Sequence, residues 1–169
     1  MNDNSFKVKR MAKENTCCFI GHRETKDTKD LRLRLSSAVE NLIKAENVDT
    51  FLFGSKSRFN DICYDIVTKI KEKFPHIKRV YVRAEYPYTD NSYKEYLSER
   101  YEYTYYPEKL LNSGKSVYIE RNCEMIDKSE FCIIYFDKAI APKSRKSGTE
   151  IAYNYAVKTN KCIINPGRE

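Results

Sequence analysis

Glycine and proline are scarce in this chain, with five of each among 169 residues, and no Gly/Ser-rich or Pro-rich linker divides the sequence. This composition excludes collagen-like and low-complexity proteins, and 41% hydrophobic residues exclude an intrinsically disordered chain. No repeat of solenoid length is visible. Because the length is that of one ordinary domain, we expect a flexible polar lead-in over residues 1–14 and one domain over residues 15–169.

Long apolar runs are also missing. The longest, residues 131–136 (FCIIYF), is far shorter than the roughly 20 residues that a membrane helix needs. The first residues mix Asn, Asp, Lys and Glu and lack the apolar core of a secretory signal. The sequence therefore predicts no membrane partner, and a cytoplasmic location is the default expectation.

Metal-binding spacings are lacking too. The six cysteines form no CxxC pair, and the two histidines, His22 and His76, do not accompany them at the spacing of a zinc site. Four of the cysteines lie inside apolar runs, and we interpret the six as small buried hydrophobic side chains. We therefore predict no disulfide framework, no metal site and no cofactor.

Short apolar runs alternate with amphipathic stretches along the chain. The runs predict strands at residues 16–20, 50–53, 77–82, 131–136 and 162–164. Apolar residues at helical spacing follow between Leu31 and Ile43, with Thr28 or Asp30 as the N-cap, then between Ile62 and Phe74, and over residues 149–158. This alternation favours a Rossmann-like α/β fold, an open parallel sheet sandwiched by helices.

A tyrosine-rich segment interrupts this pattern. Residues 81–106 contain nine of the 14 tyrosines and show little helical periodicity. We expect this segment to be the least regular part of the domain and to form a lid or an interface.

The formal net charge of +7 favours an anionic partner. In open α/β sheets, ligands bind at the carboxyl ends of the strands, where helix N-termini offer free N–H groups. The first cluster at such a place is Gly21, His22 and Arg23, in which the glycine permits close backbone approach and the arginine can grip a phosphate. A tight turn with a surface arginine is the alternative interpretation.

A second cluster follows the second predicted strand. Gly54, Ser55 and Arg58 belong to a small and basic loop just before a helix, which is typical of a phosphate cradle. The spacings of the Walker loop and of GxGxxG are absent. A solvated basic helix N-terminus has the same composition and stays open as an alternative.

A third cluster, Ser147, Gly148 and Thr149, begins the last predicted helix. Its backbone and hydroxyl donors suit a phosphate. Glu150 is the candidate catalytic carboxylate here, although an acidic residue in a first turn commonly just favours the helix dipole.

A fourth group shares one helical face. Tyr118, Arg121, Asn122 and Met125 recur at i, i+3, i+4 and i+7, and an arginine and an amide beside large side chains suit a charged, planar ligand. An exposed helix face that pairs Arg121 with a neighbouring glutamate is the alternative.

These clusters resemble the SLOG superfamily, Rossmann-like domains related to the LOG phosphoribohydrolases and to the DNA-processing protein A family. The resemblance rests on CCFIGHR (residues 17–23), FLFG (51–54), RNCEMIDKS (121–129) and SGT (147–149) leading to Ala152 and Tyr153, and covers most of the chain. It implies binding of a nucleotide at the carboxyl edge of the sheet and, in some relatives, cleavage of an N-glycosidic bond. The phosphoribohydrolases carry a glutamate three residues after the threonine, where this chain has Ala152.

The leading hypothesis is therefore a protein that binds a phosphate-bearing nucleotide or nucleotide-derived signalling molecule, ADP-ribose-like or cyclic, as a sensor or by sequestration. The alternative is a nucleoside-monophosphate phosphoribohydrolase or deoxyribosyltransferase, for which Glu150, Asp61 and Glu24 are the candidate carboxylates. Nucleic acid ranks last as a partner, because the basic residues collect in strand-end loops and not along one helix. We also expect a homo-oligomer.

Overall fold

The computed structural model describes residues 11–86, 92–141 and 143–167. In this part of the chain, six parallel β-strands form one sheet that five α-helices cover. The strands are β1 (Thr16–Gly21), β2 (Thr50–Phe53), β3 (Lys78–Val82), β4 (Tyr103–Tyr105), β5 (Phe131–Tyr135) and β6 (Cys162–Ile164). The helices are α1 (Lys29–Glu46), α2 (Arg58–Lys73), α3 (Ser92–Arg100), α4 (Val117–Asp127) and α5 (Gly148–Lys158). The predicted Rossmann-like α/β fold is confirmed.

The strand order places a change of direction beside β1. The order is β4-β3-β2-β1-β5-β6, so the chain builds β2, β3 and β4 outward on one side of β1 and then crosses back to add β5 on the other side. In this register Cys18 of β1 lies between Leu52 of β2 and Cys132 of β5. Such a switch point opens a crevice at the carboxyl ends of the strands, where sheets of this kind bind ligands.

Two hydrophobic cores flank the sheet. Cys17 and Phe19 of β1 belong to the first core, which includes buried side chains of α1, α2 and α3. Cys18 and Ile20 belong to the second core, which includes buried side chains of α4 and α5. Because alternate residues of a strand point to opposite faces, a sheet buried on both sides needs the continuous apolar runs that the sequence shows.

Three helices begin at hydroxyl side chains. The Thr28 side chain accepts a hydrogen bond from the Leu31 amide at 3.1 Å, which selects Thr28 from the two predicted caps of α1. Ser57 caps α2, and Ser147 caps α5 by accepting from the Glu150 amide at 3.0 Å. Each cap satisfies one of the amides that have no partner inside the helix.

The tyrosine-rich segment is more regular than the sequence predicts. It contains α3 and the edge strand β4, and residues 87–91 within it lie outside the described residues. The spacing of apolar residues does not reveal helix α3, because Leu97 is its one buried residue. Tyr81, Tyr101 and Tyr105 supply the apolar surface instead, with rings buried in the two cores. The lid or interface role of this segment stays a prediction.

The start of the described chain contacts the domain. A 3-10 helix, Lys13–Asn15, precedes β1, and the Lys13 carbonyl accepts a hydrogen bond from the Glu130 amide at 3.0 Å. Met11 packs against the second core. Residues 1–10 of the predicted lead-in lie outside the described residues.

The cysteine interpretation is confirmed for four of the six residues. All six thiols are free, and Cys17, Cys18, Cys63 and Cys132 are buried, whereas Cys123 is half-buried. Cys162 is exposed, and for this residue the prediction is wrong. The reason is that Cys162 begins β6, an edge strand of the sheet with a neighbour on one side.

Gly21 ends β1 against helix α2. A Cβ atom at this position would overlap the ring of Phe59, which is buried in the first core. The glycine therefore makes room for helix packing, a role different from the close approach to a ligand that the sequence suggests.

We predict that Gly21→Ala lowers the free energy of unfolding by about 1–3 kcal/mol, because the Phe59 ring must shift within a packed core. Urea denaturation followed by circular dichroism measures the effect. The matched control is Gly148→Ala, since a Cβ there meets nothing within 4 Å. An equal loss in both variants would contradict the packing explanation.

Candidate functional site

The loops after β1, β2 and β5 all leave the carboxyl edge of the sheet. Because the strands are parallel, residues 22–28, 54–57, 136–141 and 143–147 lie along this one edge, on either side of the switch point. The first three predicted clusters therefore share an edge, and α4 contributes the fourth, because its N-terminus follows β4 at the same edge.

His22 connects the two sides of the switch point. Its buried imidazole accepts a hydrogen bond at Nε2 from the backbone N–H of Asp137, 2.9 Å away in the loop after β5. An accepting Nε2 requires the neutral ring with its proton on Nδ1. The ring also lies beside Tyr135 and Phe136. His22 thus joins the loops after β1 and β5 by a hydrogen bond from inside the protein.

The environment of His22 favours this neutral form. Burial lowers the pKa of the imidazole, and the carboxylate of Asp137 opposes that effect to a smaller extent. The charged ring would also lose the acceptor that the Asp137 amide needs. Arg23, the next residue, is exposed, and its carbonyl accepts a hydrogen bond from the Arg58 amide at 2.8 Å.

The second cluster meets the fourth at the end of β2. Arg121 of α4 reaches across the sheet edge, and its Nη1 donates a hydrogen bond to the carbonyl oxygen of Gly54. A Cβ on Gly54 would lie 2.6 Å from the sulfur of Met125 and 2.7 Å from Cδ of Arg121. Glycine at position 54 is therefore what allows the arginine to approach the strand end. Asn122 supports the same guanidinium, since its Oδ1 accepts from Nε at 3.0 Å.

Arg121 is a buried cation without a carboxylate partner among the described residues. Its exposed fraction is 5%, and none of the ion pairs in the described ranges includes it. Burial lowers the pKa of the guanidinium, and the phenols of Tyr81, Tyr118 and Tyr93 oppose that effect. Nη2 has no hydrogen-bond acceptor in the described part of the chain. The sequence alternative, an exposed arginine paired with a neighbouring glutamate, is wrong for this residue.

A second cation, Lys56, lies in the loop after β2. The Lys56 ammonium sits 4.2 Å from the centre of the Tyr93 ring, and the Tyr93 hydroxyl lies 3.2 Å from that of Tyr81. The hydroxyls of Ser55 and Ser57 are 2.6 Å apart beside it. The loop after β2 therefore presents basic and hydroxyl groups together with the guanidinium of Arg121.

Arg58 takes part in a different interaction. Its guanidinium forms an ion pair with Asp27 at 2.6 Å, and Asp27 also pairs with Arg32 of α1. This exposed network joins the start of α2 to the loop before α1. The backbone N–H of Arg58 donates its hydrogen bond to the carbonyl of Arg23. The start of α2 therefore offers fewer free amides than a phosphate cradle would have.

The third cluster lies at the start of α5, the helix that packs against α4. Ser147 is the cap of α5, Gly148 is exposed and Thr149 is buried. No hydrogen bond or ion pair within the described ranges joins residues 147–150 to Arg121. Glu150 is half-buried, while Glu24 and Asp61 are exposed.

Sequence reasoning missed a buried carboxylate after β3. Glu85 and Arg83 form a buried ion pair, in which Nε and Nη2 both lie 3.1 Å from the same carboxylate oxygen. Asp137, half-buried after β5, was missed as well. Both carboxylates lie within three positions of the end of an apolar strand. Searches for glycine-containing loops or for known motifs do not detect such residues.

The described residues show neither a metal site nor a membrane span. Within them, no group of three or more His, Cys, Asp and Glu side chains is arranged to hold a metal ion. None of the helices in the same ranges has both the length and the apolar character needed to cross a membrane.

Comparisons with protein-family models and with curated proteins give no relative. No protein-family model matches the chain, and no curated protein matches it significantly. The α/β fold therefore rests on the structure, and the resemblance to the SLOG superfamily stays a prediction from the motifs.

We predict that His22 makes stability depend on pH. The folded state holds this imidazole neutral by lowering its pKa, whereas an unfolded histidine has a pKa of about 6.5. As pH falls below about 6.5, the unfolded chain takes up a proton before the folded protein does, so the free energy of unfolding decreases down to the folded pKa.

Urea midpoints at several pH values between 7.5 and 5 measure this dependence. In His22→Gln the slope should be smaller than in the wild type. His76→Gln, which removes an exposed imidazole, serves as the control and should retain the wild-type slope. Equal slopes in the wild type and His22→Gln would refute the assignment.

Proposed function

We propose that this protein binds a phosphate-bearing nucleotide or nucleotide-derived signalling molecule, ADP-ribose-like or cyclic, as a sensor or by sequestration. One observation carries the proposal, namely the buried guanidinium of Arg121, which no carboxylate of the described residues neutralises. An anionic ligand would supply the missing negative charge.

A bound anion would offset the free-energy cost of burying the Arg121 guanidinium. A buried charge is costly unless it is paired and hydrogen-bonded, and the gain from pairing grows as water is excluded. Arg121 already donates through Nε and Nη1 to protein oxygens, which leaves Nη2 for a ligand. Planar guanidinium groups suit phosphate oxygens in this geometry.

The surrounding groups favour a phosphate ester over a simple carboxylate. Lys56 adds a second positive charge on the loop after β2, and Ser55 adds a hydroxyl group. Two cations at the end of one strand are easier to accommodate when a ligand brings more than one negative charge. The motif resemblance to nucleotide-binding SLOG domains points to the same ligand class.

We predict that Arg121→Met loses ligand binding. Removing one partner of a buried charge pair costs about 2–5 kcal/mol, so affinity should fall at least about 30-fold. Isothermal titration calorimetry against ADP-ribose, cyclic ADP-ribose isomers, cyclic dinucleotides and nucleoside monophosphates identifies the ligand and measures the loss. Sedimentation of the same samples tests the expected homo-oligomer.

Arg100→Met is the matched control, because it removes one positive charge from an exposed position at the end of α3. Arg121→Lys keeps the charge without the planar fork and should bind with intermediate affinity; it also serves if the methionine variant fails to fold. Failure of the wild type to bind any compound, or wild-type affinity in Arg121→Met, would overturn the proposal.

A second candidate function is cleavage of an N-glycosidic bond. The observation that favours it is the buried carboxylate of Glu85 at the carboxyl end of β3, because a nearby carboxylate stabilises the positive charge that develops on the sugar. Cleavage predicts free base after incubation with AMP, IMP, CMP or deoxynucleosides, detected by chromatography. Glu85→Gln should abolish the release, and Glu150→Gln, Asp61→Asn and Glu24→Gln test the three carboxylates that the sequence suggests. A pure binding protein returns every compound unchanged.

A further inference from the structure

Two exposed tyrosines meet at the carboxyl edge of the sheet. Tyr86, in the loop after β3, has an exposed fraction of 49%, and Tyr118, in the first turn of α4, one of 45%. The backbone N–H of Tyr86 donates a hydrogen bond to the Tyr118 hydroxyl at 3.2 Å. This bond fixes the two residues next to each other although they are far apart in the sequence.

The pair adjoins the buried cation. Tyr118 and Arg121 are three residues apart on α4, so they share a helix face, with Cβ atoms about 5–6 Å apart. The Tyr118 phenol also lies within electrostatic reach of the Arg121 guanidinium. One helix turn therefore presents an exposed aromatic ring beside a buried positive charge.

Other tyrosine rings of the domain already pack against protein groups. Tyr81 and Tyr101 pack in the first core. Tyr96 is also exposed, but it stacks on Tyr93, and the Arg100 guanidinium lies 5.3 Å from its ring centre. For Tyr86 and Tyr118, no aromatic ring or cation within the described ranges occupies a ring face.

We propose that Tyr86 and Tyr118 form a stacking surface for the base of a nucleotide whose phosphate pairs with Arg121. The inference rests on the proposed function and extends it from the phosphate to the base. Aromatic side chains bind unpaired bases by stacking, and every base offers a flat face for this contact. The separation between Tyr118 and Arg121 along the helix is one that a single sugar ring spans.

The hydrogen bond between the two residues holds the surface in place before the ligand arrives. Because the Tyr118 hydroxyl accepts from a backbone amide, ring orientation is restrained in the free protein, and less side-chain entropy is lost on binding. Ring stacking, and not the hydroxyl, provides the affinity.

The test compares AMP with ribose 5-phosphate, which carries the same phosphate and sugar without the base. In calorimetry of the full chain, AMP should bind the wild type about tenfold more tightly than ribose 5-phosphate. Tyr118→Ala and Tyr86→Ala should weaken AMP binding by about that factor and leave ribose 5-phosphate binding unchanged.

Two further variants separate the ring from the rest of the helix surface. Tyr118→Phe keeps the ring and should retain most of the AMP affinity. Ile119→Ala removes a neighbouring exposed apolar side chain from the same helix and should bind AMP as the wild type does.

The outcomes distinguish the two proposals. If AMP binds no more tightly than ribose 5-phosphate, or if both alanine variants bind AMP normally, the stacking surface is refuted while the anion site at Arg121 stands. If neither compound binds the wild type, the anion site fails for nucleoside monophosphates, and the stacking surface fails with it.

Discussion

The approach of Arg121 to the backbone of Gly54 organises the carboxyl edge of this sheet. It needs a glycine directly after β2, because a Cβ would collide with both Arg121 and Met125. It also needs α4 to begin at this edge, which follows from the crossover between β4 and β5. A long basic side chain is thereby brought into the interior beside tyrosine hydroxyls, where a charge is expensive to hold without a partner.

Charged groups along the edge fall into two kinds. Arg83 and Glu85 neutralise each other in a buried pair, and Arg58 is neutralised by Asp27 on the surface. Arg121 and Lys56 instead face tyrosine rings and hydroxyls. Two cations without a carboxylate partner among the described residues thus lie at the end of β2, to one side of the switch point that His22 spans.

Much of the fold was predictable from the sequence, and the reasons are physical. Residues 50–53 and 162–164 are strands with the predicted bounds, because uninterrupted apolar runs between polar segments have few other ways to be buried. Helix α3 and strand β4 were missed because tyrosines replace aliphatic side chains there. An amphipathic side chain does not reveal from sequence which of its ends is buried.

The candidate site was predictable only in part. Gly54, Arg121 and Asn122 come together as contacts, since all three lie at positions that the parallel topology fixes. The partner of Arg58 is Asp27, which is 31 residues away in the sequence. A pattern of neighbouring residues cannot predict such a pairing. Glu85 was missed for a similar reason, because a carboxylate becomes notable only when its burial is known.

The lone guanidinium in the interior also links ligand supply to the lifetime of the protein. A ligand that binds the folded chain alone stabilises it in proportion to the logarithm of its concentration. When the ligand that pairs with the buried charge is depleted, a larger fraction of the molecules is transiently open. Proteases attack these open molecules. On the proposed function, the cellular amount of this protein would therefore follow the abundance of the molecule it binds.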